Sequence, residues 1–219
     1  MPRWTPQKKD VLYALAQEIL HNYGKGRALI AVDGVDGAGK THFADALAEV
    51  VRKKGHAAFR ASIDGFHRPR SERYLKGKDS PEGFYRDSFD YSLFRRVLVE
   101  PFRLGGSTAF VTAAFDVARD AQVEPRWLTG PDDALLIVDG IFLNRPELRG
   151  LWNYSIWLDV PAEITEARLI ERDGPSGIGP RYRGGQELYL AEANPRAAAD
   201  AIYDNSDFDL PRRVFADAC

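Results

Sequence analysis

Sulfur is almost absent from this chain. One cysteine, Cys219, and one methionine, Met1, occur among 219 residues, so an intrachain disulfide and a multi-thiolate metal cluster are both excluded. That usage predicts a reducing, cytoplasmic compartment. Histidine is also sparse: His21, His42, His56 and His67 are scattered rather than paired at metal-ligand spacings, which argues against a zinc site. No window approaches 18 consecutive apolar residues, and the polar opening Met1–Asp10 has no apolar stretch behind it. Neither a secretion signal nor a membrane partner is expected. Charge of one sign is missing too. Thirty Lys and Arg against 32 Asp and Glu give a net charge of −2, which provides no cationic excess for a run of nucleic-acid phosphates.

With 44% hydrophobic residues, a chain of this length can bury a substantial core as one domain spanning 1–219. Val11, Leu12, Leu15, Ile19 and Leu20 recur at helical spacing, predicting an amphipathic helix from about Thr5 to Asn22 that Gly24 and Gly26 terminate. Ala28 to Val32 is a short uninterrupted apolar run, the pattern of a strand covered on both faces. A glycine-rich turn follows, and then Phe43, Ala46, Leu47, Val50 and Val51 repeat at helical spacing. Further strand-like runs at Ala57–Ile63, Leu135–Val138 and Tyr154–Leu158 alternate with helical patterns. This order predicts an α/β fold, a three-layer doubly wound parallel sheet. The polar stretch from Gly65 to Arg86 reads as a long loop. A second, Arg172 to Gln186, carries five glycines and two prolines, and reads as a small mobile lid or an irregular excursion.

The turn after the first strand is Gly34-Val35-Asp36-Gly37-Ala38-Gly39-Lys40-Thr41, which fits the P-loop pattern of Gly, four residues, Gly, Lys and Thr. Glycines let successive N–H groups close around a phosphate, and the following helix adds the positive end of its dipole. Lys40 can reach the β- and γ-phosphates of ATP, and the Thr41 hydroxyl can ligate Mg²⁺. Gly34, Gly37, Ala38 and Gly39 are the cradle itself, and Asp36 is a further polar candidate within it.

In an open parallel sheet, ligands bind beyond the carboxyl ends of the strands. Two aspartates are predicted on that rim. Asp64 follows the run ending at Ile63 and suits the base that orients or deprotonates an attacking hydroxyl; Asp139 follows Leu135–Val138 and suits a metal-holding role. Arg168, Arg172, Arg181 and Arg183 flank or lie in the lid candidate and could meet the charge on a transferring phosphoryl group, with Arg172 and Arg181 the preferred pair. The guanine-reading Asn-Lys-x-Asp pattern of regulatory GTPases does not occur. A nucleotide-binding module without acceptor chemistry is the remaining rival.

Taken together, Val32–Thr41, Ile63–His67, Val138–Phe142, Arg168–Asp173 and Asp204-Asn205 resemble the uridine kinase branch of the P-loop kinases, which also holds phosphoribulokinase, bacterial pantothenate kinase and nicotinamide riboside kinase. The resemblance implies a P-loop nucleoside triphosphate hydrolase fold of the NMP-kinase-like kind, ATP and Mg²⁺ as cofactors, and a small-molecule acceptor. The 5'-hydroxyl of uridine or cytidine comes first; pantothenate, a phosphopentose or another sugar-like compound is the alternative. A homo-oligomer is implied as well. The family's base position falls on Asp64, and its nucleoside-facing aromatic-Asp elements fall on Tyr85 with Asp87 together with Phe89 and Asp90, and on Phe115 with Asp116. The chain departs from the uridine kinase pattern at Gly65-Phe66-His67, closer to the pantothenate and phosphoribulose kinases, and Val117 stands where a histidine usually follows the central element. His67 is a candidate substrate contact or a loop-holding residue.

Overall fold

In the computed structural model, which describes residues 6–215 and only the backbone of residues 176 and 177, a six-stranded sheet runs through the molecule. Its strands are β1 (Ala28–Gly34), β2 (Ala58–Ser62), β5 (Leu135–Gly140), β6 (Tyr154–Asp159), β7 (Ala201–Asp204) and β8 (Arg212–Val214), arranged β2-β5-β1-β6-β7-β8. The first five are parallel, and β8 adds an antiparallel edge on β7. A separate two-stranded hairpin pairs β3 (Phe115–Asp116) with β4 (Ala121–Gln122).

β1 is buried along its whole length, as its unbroken apolar run requires. Its residues alternate between two cores. Ala28, Ile30 and Val32 pack with α1 (Lys8–Tyr23) and α2 (Lys40–Lys53) on one face, whereas Leu29 and Ala31 belong to the opposite core. That second core takes its helices from α4 (Pro81–Asp87), α8 (Pro180–Ala193) and a continuous helical stretch. The stretch runs from α5 (Tyr91–Phe94) through a π-helical turn at Arg95–Val99 into α6 (Glu100–Leu104). Helices on both sides of a parallel sheet give the three-layer α/β architecture expected from the sequence. The four predicted strands come within one or two residues of their observed bounds, and the first helix starts at Lys8; Thr5 lies outside the described residues.

Two expectations are corrected. The segment read as one long loop, Gly65–Arg86, holds the end of a 3₁₀ turn at Ile63–Phe66, a helical turn α3 (Arg70–Arg73) and the start of α4. The glycine-rich lid candidate is largely helical: α7 (Ala162–Asp173) ends at Gly174, a 3₁₀ turn covers Pro175–Ile178, and α8 starts at Pro180. The reason lies in packing. A Cβ on Gly185 would come within 2.6 Å of the Phe84 ring, and one on Gly184 within 2.8 Å of Pro81 Cγ. These glycines spend helix propensity to let α8 lie directly on α4.

Register places the functional ends of three strands side by side. Val32 is paired with Asp139 and Ser62 with Asp139. The turn after β1, the Asp64 turn and the end of β5 therefore share one rim, where α/β sheets bind ligands.

Candidate active site

The turn after β1 coils as its glycines allow. Gly37 and Gly39 have φ of +79° and +85°, a region costly for residues bearing a Cβ, and a Cβ on Gly37 would meet the Thr165 carbonyl at 2.5 Å. Gly39 caps α2, so Lys40 and Thr41 stand in its first turn with free N–H groups ahead of them. Lys40 Nζ donates to the Val35 carbonyl at 2.9 Å and lies 3.9 Å from Asp36. Burial pushes the Asp36 carboxyl above its ordinary pKa, and the Lys40 charge pulls it back.

Thr41 Oγ1 donates to Asp139 Oδ2 at 2.7 Å. The other oxygen of Asp139, Oδ1, takes Arg60 Nη2 at 2.7 Å. Arg60 is a residue that sequence reasoning missed: it projects from β2, and only the β2–β5 pairing brings it to Asp139. Arg168 holds the other flank. Its guanidinium donates to the carbonyls of Gly37, Asn205 and Ser206 and stacks 3.8 Å from the centroid of the Phe208 ring. The side chain of Asn205 reaches the Ala38 carbonyl at 2.7 Å.

These groups line a cleft of about 390 Å³, with Gly37, Gly39, Lys40, Thr41, Asp139 and Arg168 on its walls. Phe208 is a wall residue with no signal in the sequence. A second cavity, about 420 Å³, is bounded by His67, Arg73, Tyr74, Phe84, Arg181 and Tyr182, among others. Asp36, Asp64 and Arg172 line both cavities. Asp64 is solvent-exposed in the turn after β2, its N–H held by the Ser62 hydroxyl at 3.3 Å. Arg172 pairs with Asp173 at 2.6 Å.

His67 donates through Nδ1 to the Asp64 carbonyl at 2.8 Å and packs on Phe89 with ring centroids 4.5 Å apart. Burial lowers its pKa against the opposing pull of Asp64, which favours the neutral ring. Arg181, expected with the phosphate-binding residues, stands instead in the second cavity. It is only 7% exposed, donates to the carbonyls of Lys78 and Ser80, and lies 5.0 Å from the Tyr74 ring.

Of the aromatic-Asp elements expected to face an acceptor, Phe89 lines the second cavity, whereas Tyr85, Asp87, Asp90, Phe115 and Asp116 line neither. Tyr85 is 1% exposed and packs on Phe142 and Tyr189 in the core. Asp87 pairs with Lys76, and Asp90 caps α5 by accepting from the Leu93 N–H. Phe115 is buried, and Asp116 accepts from the N–H groups of Ala118 and Arg119 in its own turn. Helical geometry accounts for the first of these: successive residues of α4 turn by about 100°, so Phe84 faces the cavity and Tyr85 the core.

A third cavity of about 450 Å³ lies between α7 and α8, with Leu158, Leu169, Ile178 and Leu190 in its walls. Neither Lys40, Thr41 nor Asp64 reaches it.

No protein-family model matches the chain, nor does any curated sequence. Solved structures do. A protein from Bacillus stearothermophilus described as a possible uridine kinase superposes with a TM-score of 0.73 over 90% of this chain and 98% of its own, at 23% identity. A candidate fructose transport system kinase from Silicibacter sp. TM1040 gives 0.63 at 28% identity over 86% and 94% of the two chains. The chain has the P-loop kinase fold. D-glycerate 3-kinase from Cryptococcus neoformans shares that fold at 9% identity, with a TM-score of 0.59 over 93% of this chain and 99% of its own. The Gly34–Thr41 turn contributes Asp36, Gly37, Gly39, Lys40 and Thr41 to the first cavity, and Asp36 and Asp64 also line the second. Among the described residues, no helix is long and apolar enough to cross a membrane.

Proposed function

We propose that this protein is a kinase that transfers the γ-phosphoryl group of ATP to a hydroxyl of a small molecule. The observation that carries the proposal is the meeting of two cavities at Asp36, Asp64 and Arg172, one built on the phosphate cradle and the other walled by unrelated segments. Nucleotide hydrolysis or switching alone would not need the second chamber.

The residues fit Mg²⁺. Thr41 and Asp139 offer two oxygens in direct contact, and Mg²⁺ in phosphate sites is usually held by one or two protein oxygens with phosphate and water. Bound there, Mg²⁺ would neutralise charge on the β- and γ-oxygens. Arg60 holds one oxygen of Asp139 and leaves the other turned toward Thr41.

The protein's own groups divide the remaining work. Backbone N–H groups of the cradle and Lys40 hold the phosphates, and Arg172 at the junction offsets charge as the phosphoryl group moves. Asp64 accepts the proton of the attacking hydroxyl. A new bond forms between that oxygen and the γ-phosphorus, the bond to the β,γ-bridging oxygen breaks, and ADP departs with its electron pair. Arg172 near the end of α7 and Arg181 at the start of α8 flank the joining segment, which serves as the lid.

The acceptor is a hydroxyl compound small enough for about 420 Å³. Uridine follows from the sequence resemblance and from the name of the Bacillus neighbour. Of the residues expected to read a nucleoside, Phe89 lines the chamber while Tyr85, Asp87, Asp90, Phe115 and Asp116 stand outside it, so acceptor identity rests on Phe89, His67, Arg73, Tyr74 and Arg181.

ADP release measured against nucleosides, sugars, sugar phosphates and hydroxy acids tests the proposal. Acceptor-dependent release that disappears in Lys40→Ala is expected. ATP binding with no acceptor dependence across all four classes would instead make the protein a nucleotide-binding module.

A further inference from the structure

The chamber beyond Asp64 has a charge asymmetry. The junction with the nucleotide cleft carries Asp36 and Asp64 together with Arg172. Away from it, the charged side chains are Arg73, Arg181 and Asp173, and Asp173 is engaged by Arg172. The far wall is therefore two guanidinium groups.

Both are buried, each with 7% exposure. They flank one ring, Tyr74, at 5.5 and 5.0 Å from its centroid, and burial, with the charge of Arg73 adding to it, disfavours the charge on Arg181. Asp120 meets Arg73 Nη2 at 3.2 Å. Arg73 Nε is buried with no hydrogen-bond partner. Arg181 forms no ion pair among the described residues, with two backbone carbonyls and the more distant charge of Asp79 as partial compensation. Burying two like charges against one carboxylate is costly. An arginine fork is suited to a planar or tetrahedral oxyanion, and such a group would supply the missing negative charge. A neutral acceptor would leave the cost in place.

Resting on the kinase reading above, we infer that the acceptor carries an anionic oxo-group, a carboxylate or a phosphate, which Arg73 and Arg181 hold at the far wall while its hydroxyl is presented to Asp64. A neutral nucleoside lacks that group. The transfer itself is the one already described, and the anion takes no part in it.

Paired probes that differ only in the anionic group test this: D-ribose 5-phosphate against D-ribose, and D-glycerate against glycerol, with inorganic phosphate as the minimal anion. Each is titrated by calorimetry at constant ionic strength into protein saturated with a non-hydrolysable ATP analogue, so that the phosphate cradle is already filled. The anionic member of at least one pair should bind at least tenfold more tightly than its neutral partner, the first pair reporting a phosphate and the second a carboxylate. Arg181→Gln should remove that preference, Arg181→Lys should restore part of it, and the melting temperature of each variant without ligand verifies folding. Equal binding within both pairs, or a preference unchanged in Arg181→Gln and Arg73→Gln, would overturn the inference. ADP release with the same compounds separates the two claims. Turnover of neutral acceptors without arginine-dependent anion binding leaves a kinase and removes the anion site, whereas arginine-dependent anion binding with no acceptor-dependent ADP release keeps the site and counts against the kinase.

Discussion

Thr41 and Asp139, 98 residues apart in sequence, share a hydrogen bond of 2.7 Å across the end of the sheet. The contact joins the start of α2 to the end of β5, and it exists because β1 and β5 are paired in parallel with Val32 opposite Asp139. A hydroxyl and a carboxylate placed this way, beside the turn that carries Lys40, would suit a metal-assisted phosphoryl transfer.

Asp139→Asn removes one negative charge from that pair. The Mg²⁺ concentration for half-maximal ADP release should rise about 10- to 100-fold, while metal-free nucleotide binding changes little. A Mg²⁺ titration of both quantities checks it, and an unshifted midpoint would take Asp139 out of the metal site.

Gly185→Ala tests the close approach of α8 to α4. An alanine would raise helix propensity, yet its Cβ would stand 2.6 Å from a Phe84 ring carbon and 3.0 Å from the Pro81 carbonyl. Overpacking should win by about 1–3 kcal/mol, measured as a lower midpoint in urea. A stabilised variant would show that the contact is loose.

The extent to which this molecule is legible in its sequence follows from how local each feature is. The cradle is legible because strand, turn and helix are consecutive, and its glycines are needed at φ values that few other residues adopt. Asp64 and Asp139 are legible because each directly follows an apolar run. The chamber is not. Arg73 and Arg181 are more than a hundred residues apart and meet only because α4 packs on α8. The glycines that allow that packing are also what made α8 read as a loop. Tyr85 shows the complementary failure: an aromatic residue of the expected type, in the expected place, is turned into the core by one helical step from Phe84. Arg60 and Phe208 carry no pattern of their own, and only sheet pairing and chain return bring them to the site.

Glu18 gives a pH test at the opposite edge of the sheet. Hydrogen bonds from Arg213 Nη2 at 3.1 Å and from the Tyr154 hydroxyl at 2.6 Å hold its carboxyl below its ordinary pKa. Because the folded pKa is depressed, the contribution is present above the unfolded value of 4.5 and is lost as pH falls through the folded one. For a half-buried pair this amounts to about 0.5 kcal/mol. Glu18→Gln should therefore melt roughly 1–2 °C lower than the natural protein at pH 7, and the gap should close in acid. A gap that widens as pH falls would contradict the assignment.

Asp64 decides the account. It is exposed at the junction of the two cavities, and its position places a proton acceptor where a hydroxyl would approach the cradle. With an acceptor in hand, nucleotide affinity and single-turnover ADP formation are measured for Asp64→Asn. Affinity within about twofold of the natural protein and turnover reduced by at least about 100-fold are expected, the scale of a lost general base. Turnover close to that of the natural protein would contradict the claim that this aspartate receives the acceptor's proton.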